Sequence, residues 1–329
     1  MLFPNFWLET KHKQSLYPYL LYPISICWMA LGKLKIQLTS SYQSPLPVIC
    51  VGNLTVGGNG KTPTALKIRS LLGDLGYKPH IVSRGYKARI KGPHLVDPTR
   101  DSFREVGDEA LMMASQGPTW ISQNRSAGVK AAANSGANVI VLDDGFQNFS
   151  IKKNLSVLVI ESSTGFGNGY LIPAGPLREK ISTGLKRADI IITIGSPPTQ
   201  KTFKSKHLFL KKLPLIEGRL VPKKNSLNLK GKTIIAFAGI AHPEKFRTTL
   251  EEVGAIIIKF KAFANHKAFE IQQLNKLLSE ARKKEAILVT TEKDFVRIPS
   301  KLQSYFNVLE VNLEIENEKF LIKKLKAIL

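Results

Sequence analysis

Residues 51–63 read VGNLTVGGNGKTP. An apolar run over 47–51 leads into them and a helical pattern over 64–75 follows, so a strand, a glycine loop and a helix come in succession. In that order backbone N–H groups and a helix N-terminus wrap phosphate oxygens. The usual phosphate loop asks for Gly, four residues of any type, then Gly-Lys-Ser/Thr, and Thr55 stands where the first Gly belongs. Gly57 and Gly58 supply the open backbone in its place. The expected nucleotide-phosphate site is therefore Thr55, Val56, Gly57, Gly58, Asn59, Gly60, Lys61 and Thr62. Lys61 would reach the β- and γ-phosphates and Thr62 would hold Mg2+. Pro63 falls in the first helical turn, where its missing N–H costs nothing.

A phosphate loop needs an acid facing the metal at the end of a neighbouring strand. The run NVIVL leads straight into Asp143, Asp144 and Gly145, with both acids as candidate Mg2+ ligands. Taken alone, the same residues read as an Asp-Gly turn closing a strand. Finding both halves in the right order favours the metal site.

Outward from these motifs, apolar runs alternate with helical patterns, the signature of α/β layering. Strands are expected over 80–83, 119–121, 138–142, 156–160 and 189–194, with helices over 109–115 and 127–134. This is a P-loop NTPase-like wound, largely parallel sheet. Residues 195–230 turn polar, basic and proline-bearing around LFLKKLPLIEGRLV and read as an extended linker of one or two strands. A second βα pattern starts with TIIAFAGI at 233–240, continues with a helix over 243–253, a strand over 255–260 and a helix over 268–284, and closes with a strand over 286–290. The expected division is an N-terminal segment 1–45, a P-loop domain 46–200, a linker 201–231 and a smaller α/β domain 232–329.

Lys and Arg number 48 against 25 Asp and Glu, a formal net charge of +23. Such a surface attracts nucleic acid, an acidic bilayer face or a phosphorylated substrate, or is simply a basic solvated surface. The lysines are dispersed, with no recognition motif and no aromatic–basic interleaving, so nucleic acid is not expected as a partner. Between Lys13 and Lys33 the chain carries no charge and includes Tyr17, Tyr19, Tyr22 and Trp28. That length approaches the ~20 residues that span a bilayer. Pro18 and Pro23 should break a helix early, and aromatic rings with flanking lysines suit a segment lying in the interface. A spanning helix and a buried one remain as alternatives. No small-residue cleavage site follows the apolar run, against a signal peptide. Cys27 and Cys50 have no metal-type spacing or partner cluster, which fits a reducing compartment.

The chain resembles the tetraacyldisaccharide 4'-kinase family, the lipid A 4'-kinases. The matching motifs are VGNLTVGGNGKTP at 51–63, SRGY at 83–86, VGDEA at 106–110, LDDGFQ at 142–147, IPAGPLRE at 172–179, AGIAHPEKF at 238–246 and TEKD at 291–294. They run in family order, and the Thr55 departure is itself a family habit. The resemblance implies two α/β domains facing a cleft and a membrane-associated N-terminus at the cytoplasmic face of the inner membrane, peripheral or monotopic. The implied reaction moves the ATP γ-phosphate to the 4'-hydroxyl of lipid A disaccharide 1-phosphate, an acidic acceptor held at the membrane surface. The basic charge and the aromatic N-terminus thereby acquire a reason.

The resemblance also implies that Asp108, in VGDEA, works with His266, in FANHKAF, to activate the acceptor hydroxyl. An alcohol must lose its proton as the new bond forms, and an Asp–His pair can take it. The residue before the histidine is usually Asp in the family; here it is Asn265, which leaves less negative charge around His266. Read without the family, Asp108 is a helix N-cap and His266 a surface residue opening a helix. Arg178 and Glu179 close the IPAGPLRE loop: the guanidinium would meet phosphate and the carboxylate complete the Mg2+ shell, or the two form a surface ion pair. Arg84 and Gln147 are expected on the acceptor side, and His242 as a turn or cap residue. A competing reading is a membrane-recruited P-loop ATPase of the partitioning type. Those loops carry a Lys just before the glycine pair, where this chain has Val56.

Overall fold

The computed structural model describes residues 4–8, 15–58, 60–223 and 227–329. The expected ATP-site residue Asn59 and the charge at Lys13 lie outside the described residues. Thirteen strands form among the described residues: β1 (Val48–Gly52), β2 (Pro79–Ser83), β3 (His94–Leu95), β4 (Thr119–Ile121), β5 (Val139–Asp143), β6 (Leu155–Glu161), β7 (Ile190–Ile194), β8 (Leu215–Pro222), β9 (Thr233–Ala238), β10 (Ile256–Ala262), β11 (Ile287–Thr291), β12 (Asn307–Leu309) and β13 (Val311–Ile315).

Nine of them make one sheet in the order β13-β8-β7-β6-β1-β5-β2-β4-β3, and four make a second in the order β10-β9-β11-β12. The larger sheet is parallel from β8 to β4, with an antiparallel strand at each edge. Its central strands are buried on both faces, which is why VICVG, VIVLD and IIITI read as unbroken apolar runs. Helix Lys61–Asp74 covers one face through Ala65, Ile68, Leu71 and Leu72, and Leu54, Phe146, Phe166 and Phe203 fill part of the other. The smaller sheet is wholly parallel and sandwiched between helices Pro243–Glu252 and Ile271–Lys283.

Three expectations change. The linker over 201–231 contributes β8, an integral strand of the large sheet beside β7. The C-terminal stretch expected with the smaller domain returns to the larger one, since β13 pairs with β8 and helix Glu318–Lys326 buries Leu321 and Leu325 in the large core. Val311, Leu313 and Ile315 alternate with Asn312 and Glu314, a pattern that suits an edge strand with one covered face. Finally, the two N-terminal prolines do not break the helix, which runs from Tyr17 to Leu38 with Pro18 in its first turn and Pro23 inside. A first-turn proline removes no intrahelical bond, and Pro23 is tolerated where tertiary contacts hold both sides. Those contacts are Ser25 Oγ to Leu171 O at 2.9 Å, Trp28 Nε1 to Arg178 O at 3.2 Å, and Tyr19 and Tyr22 edge-on to Tyr170. No helix among the described residues is long and apolar enough to cross a membrane.

Candidate active site

Parallel strands bind ligands beyond their carboxyl ends. Here the carboxyl ends of β1, β2 and β5 bring the glycine loop, Arg84 and the Asp143–Asp144 pair to one edge. The carboxyl ends of β9, β10 and β11 bring residues 240–242, 265–266 and 291–293 to the opposite wall. Together they line a cleft of about 2160 Å³.

The glycine loop explains its own irregularity. Thr55 pairs antiparallel with Leu177, Val56 N–H donates to Pro176 O at 2.8 Å, and Arg178 N–H donates to Leu54 O at 2.7 Å. An extended residue needs no glycine, so Thr is comfortable where the usual pattern has Gly. This also corrects one expectation, because the Val56 N–H is committed to Pro176 and is not a phosphate donor. Gly57 at φ 109° and Gly60 at φ 81° lie where side chains are disfavoured, so the turn is reserved for glycine. Lys61 starts the helix, with Nζ 3.1 Å from Gly57 O and 3.7 Å from Asp144, and Thr62 follows at the dipole-positive end.

The two carboxylates after β5 have opposite electrostatics. Asp143 is 2% exposed, and burial first, then the charges of Glu109 and Asp144, push its carboxyl up to about 7. Its Oδ1 is buried without a hydrogen-bond partner. An orphaned oxygen with a raised pKa beside Thr62 and a phosphate loop is short of a cation, so these residues fit Mg2+. Asp144 sits at φ 50°, which turns its carboxylate toward Arg178 at 2.9 Å and toward Lys61. Burial alone would raise its pKa, yet Lys61 and Arg178 outweigh that and hold it below the usual range.

Arg178 also donates to Gln147 Oε1 at 3.1 Å, and Gln147 Nε2 donates to Asn53 O at 2.8 Å and Glu179 Oε1 at 2.9 Å. The other Glu179 oxygen pairs with Arg187. Two expectations are thereby corrected: Glu179 has both oxygens occupied by protein partners rather than open to Mg2+, and the Gln147 amide ties LDDGFQ to IPAGPLRE rather than standing free for the acceptor. Arg178 and Glu179 make no surface pair with each other; each has a separate partner inside the network. Arg84 is exposed on the cleft wall.

Asp108 and His266 meet across the cleft. The His266 Nδ1–H donates to Asp108, with Oδ2 at 2.8 Å and Oδ1 at 3.0 Å. Asp108 is 5% exposed and is the first residue of helix Asp108–Ala114, with Gly107 in the cap position; its Oδ1 also accepts the Glu109 N–H at 2.9 Å, so it ties the helix start to His266. Burial would raise its pKa, but the His266 hydrogen bond and then the Lys293, His266 and Arg297 charges keep it lowered. His266 sits in a turn after β10 at φ 60°, its ring edge-on to Tyr86 at 5.2 Å. It opens no helix. Asn265 also lines the cleft, its Oδ1 buried and unpartnered. His242 is the N-cap residue of helix Pro243–Glu252.

Three residues escaped the sequence reading. Lys293 Nζ lies 3.4 Å from His266 Nε2 and 2.7 Å from Glu109, which leaves the proton of a neutral His266 on Nδ1. Buried Arg297 pairs with Asp294 and donates to Gly239 O at 3.0 Å and Lys267 O at 2.9 Å, bracing the turn that presents His266. Arg125, buried at the start of helix Arg125–Asn134, donates to Asp143 O at 3.1 Å and faces the cleft. The motif TEKD signalled the first; a charged run otherwise reads as solvated surface.

The sequence matches the family described as tetraacyldisaccharide-1-P 4'-kinase over residues 17–329. It is 40% identical to a tetraacyldisaccharide 4'-kinase of Dinoroseobacter shibae, covering 99% of this chain and 97% of the relative. It is 42% identical to that of Rhodospirillum centenum, covering 99% and 96%. The structure is similar to the crystal structure of the "apo" form of LpxK from Aquifex aeolicus in complex with ATP, with a TM-score of 0.77 and 27% identity, covering 94% of this chain and 99% of that one.

Proposed function

The chain belongs to the tetraacyldisaccharide-1-P 4'-kinase family, and from that premise we propose that it transfers the ATP γ-phosphate to the 4'-hydroxyl of lipid A disaccharide 1-phosphate, giving lipid IVA, with Asp108 and His266 taking the hydroxyl proton. The observation that carries the proton-transfer assignment is the 2.8 Å contact between these side chains across the cleft. As the acceptor oxygen bonds to the γ-phosphorus, the bond from phosphorus to the β–γ bridging oxygen breaks, ADP leaves, and the hydroxyl proton passes to the pair. Asp108 stays ionised because its cationic neighbours hold it so, which orients the imidazole and stabilises it when protonated. Lys61 and the Gly57–Gly60 backbone bind the phosphates, and Arg125 and Arg178 add positive charge where the transferring group passes. Thr62 and Asp143 would hold Mg2+, which when bound neutralises charge on the phosphate oxygens, whereas Asp144, expected beside them, has both oxygens engaged by Arg178 as Glu179 has by its own partners. The partitioning-ATPase reading has no use for a base aimed at an alcohol. Incubating the protein with ATP, Mg2+ and the acceptor in detergent tests the reading by product mass.

Lys293 is a positioning residue in this scheme. Lys293→Ala is expected to slow transfer and to move the acid limb of the kcat/KM profile to higher pH. Lys293 Nζ lies 3.4 Å from His266 Nε2 and its charge is among those that lower the Asp108 pKa, so its removal makes the pair as a whole easier to protonate, and protonation then silences it earlier as pH falls. An unchanged acid limb would assign Lys293 a purely structural part.

The proposed site of work is an anionic membrane surface. Leu20, Ile24, Leu31, Leu34 and Leu38 form one exposed stripe of helix Tyr17–Leu38, while Pro18 and Ser25 face the protein. Replacing Leu20, Leu31 and Leu34 together by Ser should lower vesicle partitioning by at least about tenfold, from the apolar area withdrawn from lipid. Unchanged partitioning would mean that the stripe does not enter the bilayer.

A further inference from the structure

We propose that residues 201–212 form a second membrane contact, a basic–aromatic lobe that presses Leu208 and Phe209 into an anionic bilayer beside the N-terminal helix. The proposal rests on the membrane reading of that helix and extends it to a part of the chain far away in sequence. The segment KTFKSKHLFLKK carries Lys201, Lys204, Lys206, Lys211 and Lys212, and no acidic residue occurs between Asp189 and Glu217. All five lysines are exposed, and among the described residues only Lys204 has an ion-pair partner, Glu217. Four exposed cations without an acidic partner in so short a stretch are complementary to acidic headgroups.

At the centre of this charge, Leu208 is 57% and Phe209 48% exposed. They are not loosely hung. Phe203 is buried and stacks on His207 at 4.4 Å, and Phe166 lies 5.3 Å from His207 and 6.4 Å from Phe209. A packed aromatic base therefore props two large apolar side chains outward within a ring of lysines, the arrangement that suits the interface between headgroups and acyl chains.

The lobe is continuous with the N-terminal helix. Phe166 belongs to the loop that continues through Asn168, which bonds the Phe6 and Trp7 carbonyls at 3.0 and 2.8 Å. Phe6 lies 5.6 Å from Tyr17, and Tyr170 of the same loop meets Tyr19 and Tyr22. Contacts thus run unbroken from the exposed helix to Phe209. Two anchors joined in this way would fix the orientation of the cleft on the membrane, where one helix alone leaves rotation about its axis free.

The test is sedimentation of the full chain with phosphatidylcholine vesicles, with and without phosphatidylglycerol, for two variants. One carries Leu208→Ser and Phe209→Ser; the other carries Lys201, Lys206, Lys211 and Lys212 changed to Glu. Both are expected to bind phosphatidylglycerol vesicles at least about tenfold more weakly than the parent, one through lost apolar insertion and the other through lost headgroup attraction. Activity on detergent-dispersed acceptor should be retained, because none of these residues lines the cleft. Binding within about twofold of the parent would overturn the proposal. So would losses of the lysine variant that are equal on neutral and anionic vesicles, or a change of oligomeric state by light scattering, which would assign the patch to a second copy. The stripe variant at Leu20, Leu31 and Leu34, run in parallel, separates failure of this lobe from failure of the helix reading.

Discussion

Lys61→Ala should lose about 10²–10³-fold in phosphoryl transfer while its thermal unfolding stays close to that of the parent. In this reaction class the protein contributes positioning and charge neutralisation, so removing the cation nearest the phosphates removes transition-state stabilisation directly. The fold should tolerate the change. Lys61 contributes one hydrogen bond, to Gly57 O, and Asp144 keeps its bidentate partner Arg178 when Lys61 is gone. Rates, melts and nucleotide titration on the purified variant check this. Near-normal turnover in a folded Lys61→Ala protein would remove the nucleotide site from where it is placed here.

Asp108→Ala and His266→Ala should each slow transfer by about 10²–10⁴-fold, the range for a positioned acid–base group. The double variant should be little worse than either single one, because a pair that acts as a unit is lost with its first member. ATP affinity should barely move, since neither residue belongs to the phosphate loop. A capping role for Asp108 predicts instead about 0.5–2 kcal/mol of lost stability with modest kinetic effect. A double-mutant cycle on transfer rate, with melts beside it, separates the two. Simple additivity of the logarithmic losses would mean that Asp108 and His266 work independently and that the dyad should be abandoned.

Both predictions concern residues legible before any coordinates. The strand, glycine loop and helix at 51–63, the acids ending β5, and the α/β alternation up to residue 290 all follow from apolar runs and turn residues with local causes. Three kinds of feature did not follow. The network Asp144–Arg178–Gln147–Glu179–Arg187 depends on which loops the sheet brings together, so Glu179 read as a metal ligand and Gln147 as an acceptor contact. Lys293 lies in the TEKD motif, but nothing local distinguishes a lysine reaching His266 from one in water, and Arg297 follows in the same charged stretch with no signal of its own. The return of β13 and helix Glu318–Lys326 to the large sheet is a matter of long-range pairing, invisible in a short strand of alternating pattern. Pro23 is the reverse case, where a strong local signal was overridden by tertiary contacts from Ser25 and Trp28.

The most direct measurement is the mass and phosphate position of the product formed from ATP, Mg2+ and lipid A disaccharide 1-phosphate, with the Asp108→Ala protein run alongside. The account predicts one added phosphate on the 4'-oxygen, ADP formed in equal amount, and almost none of either with Asp108→Ala. ATP hydrolysis that proceeds equally with and without acceptor, leaving the disaccharide at its starting mass, would contradict it.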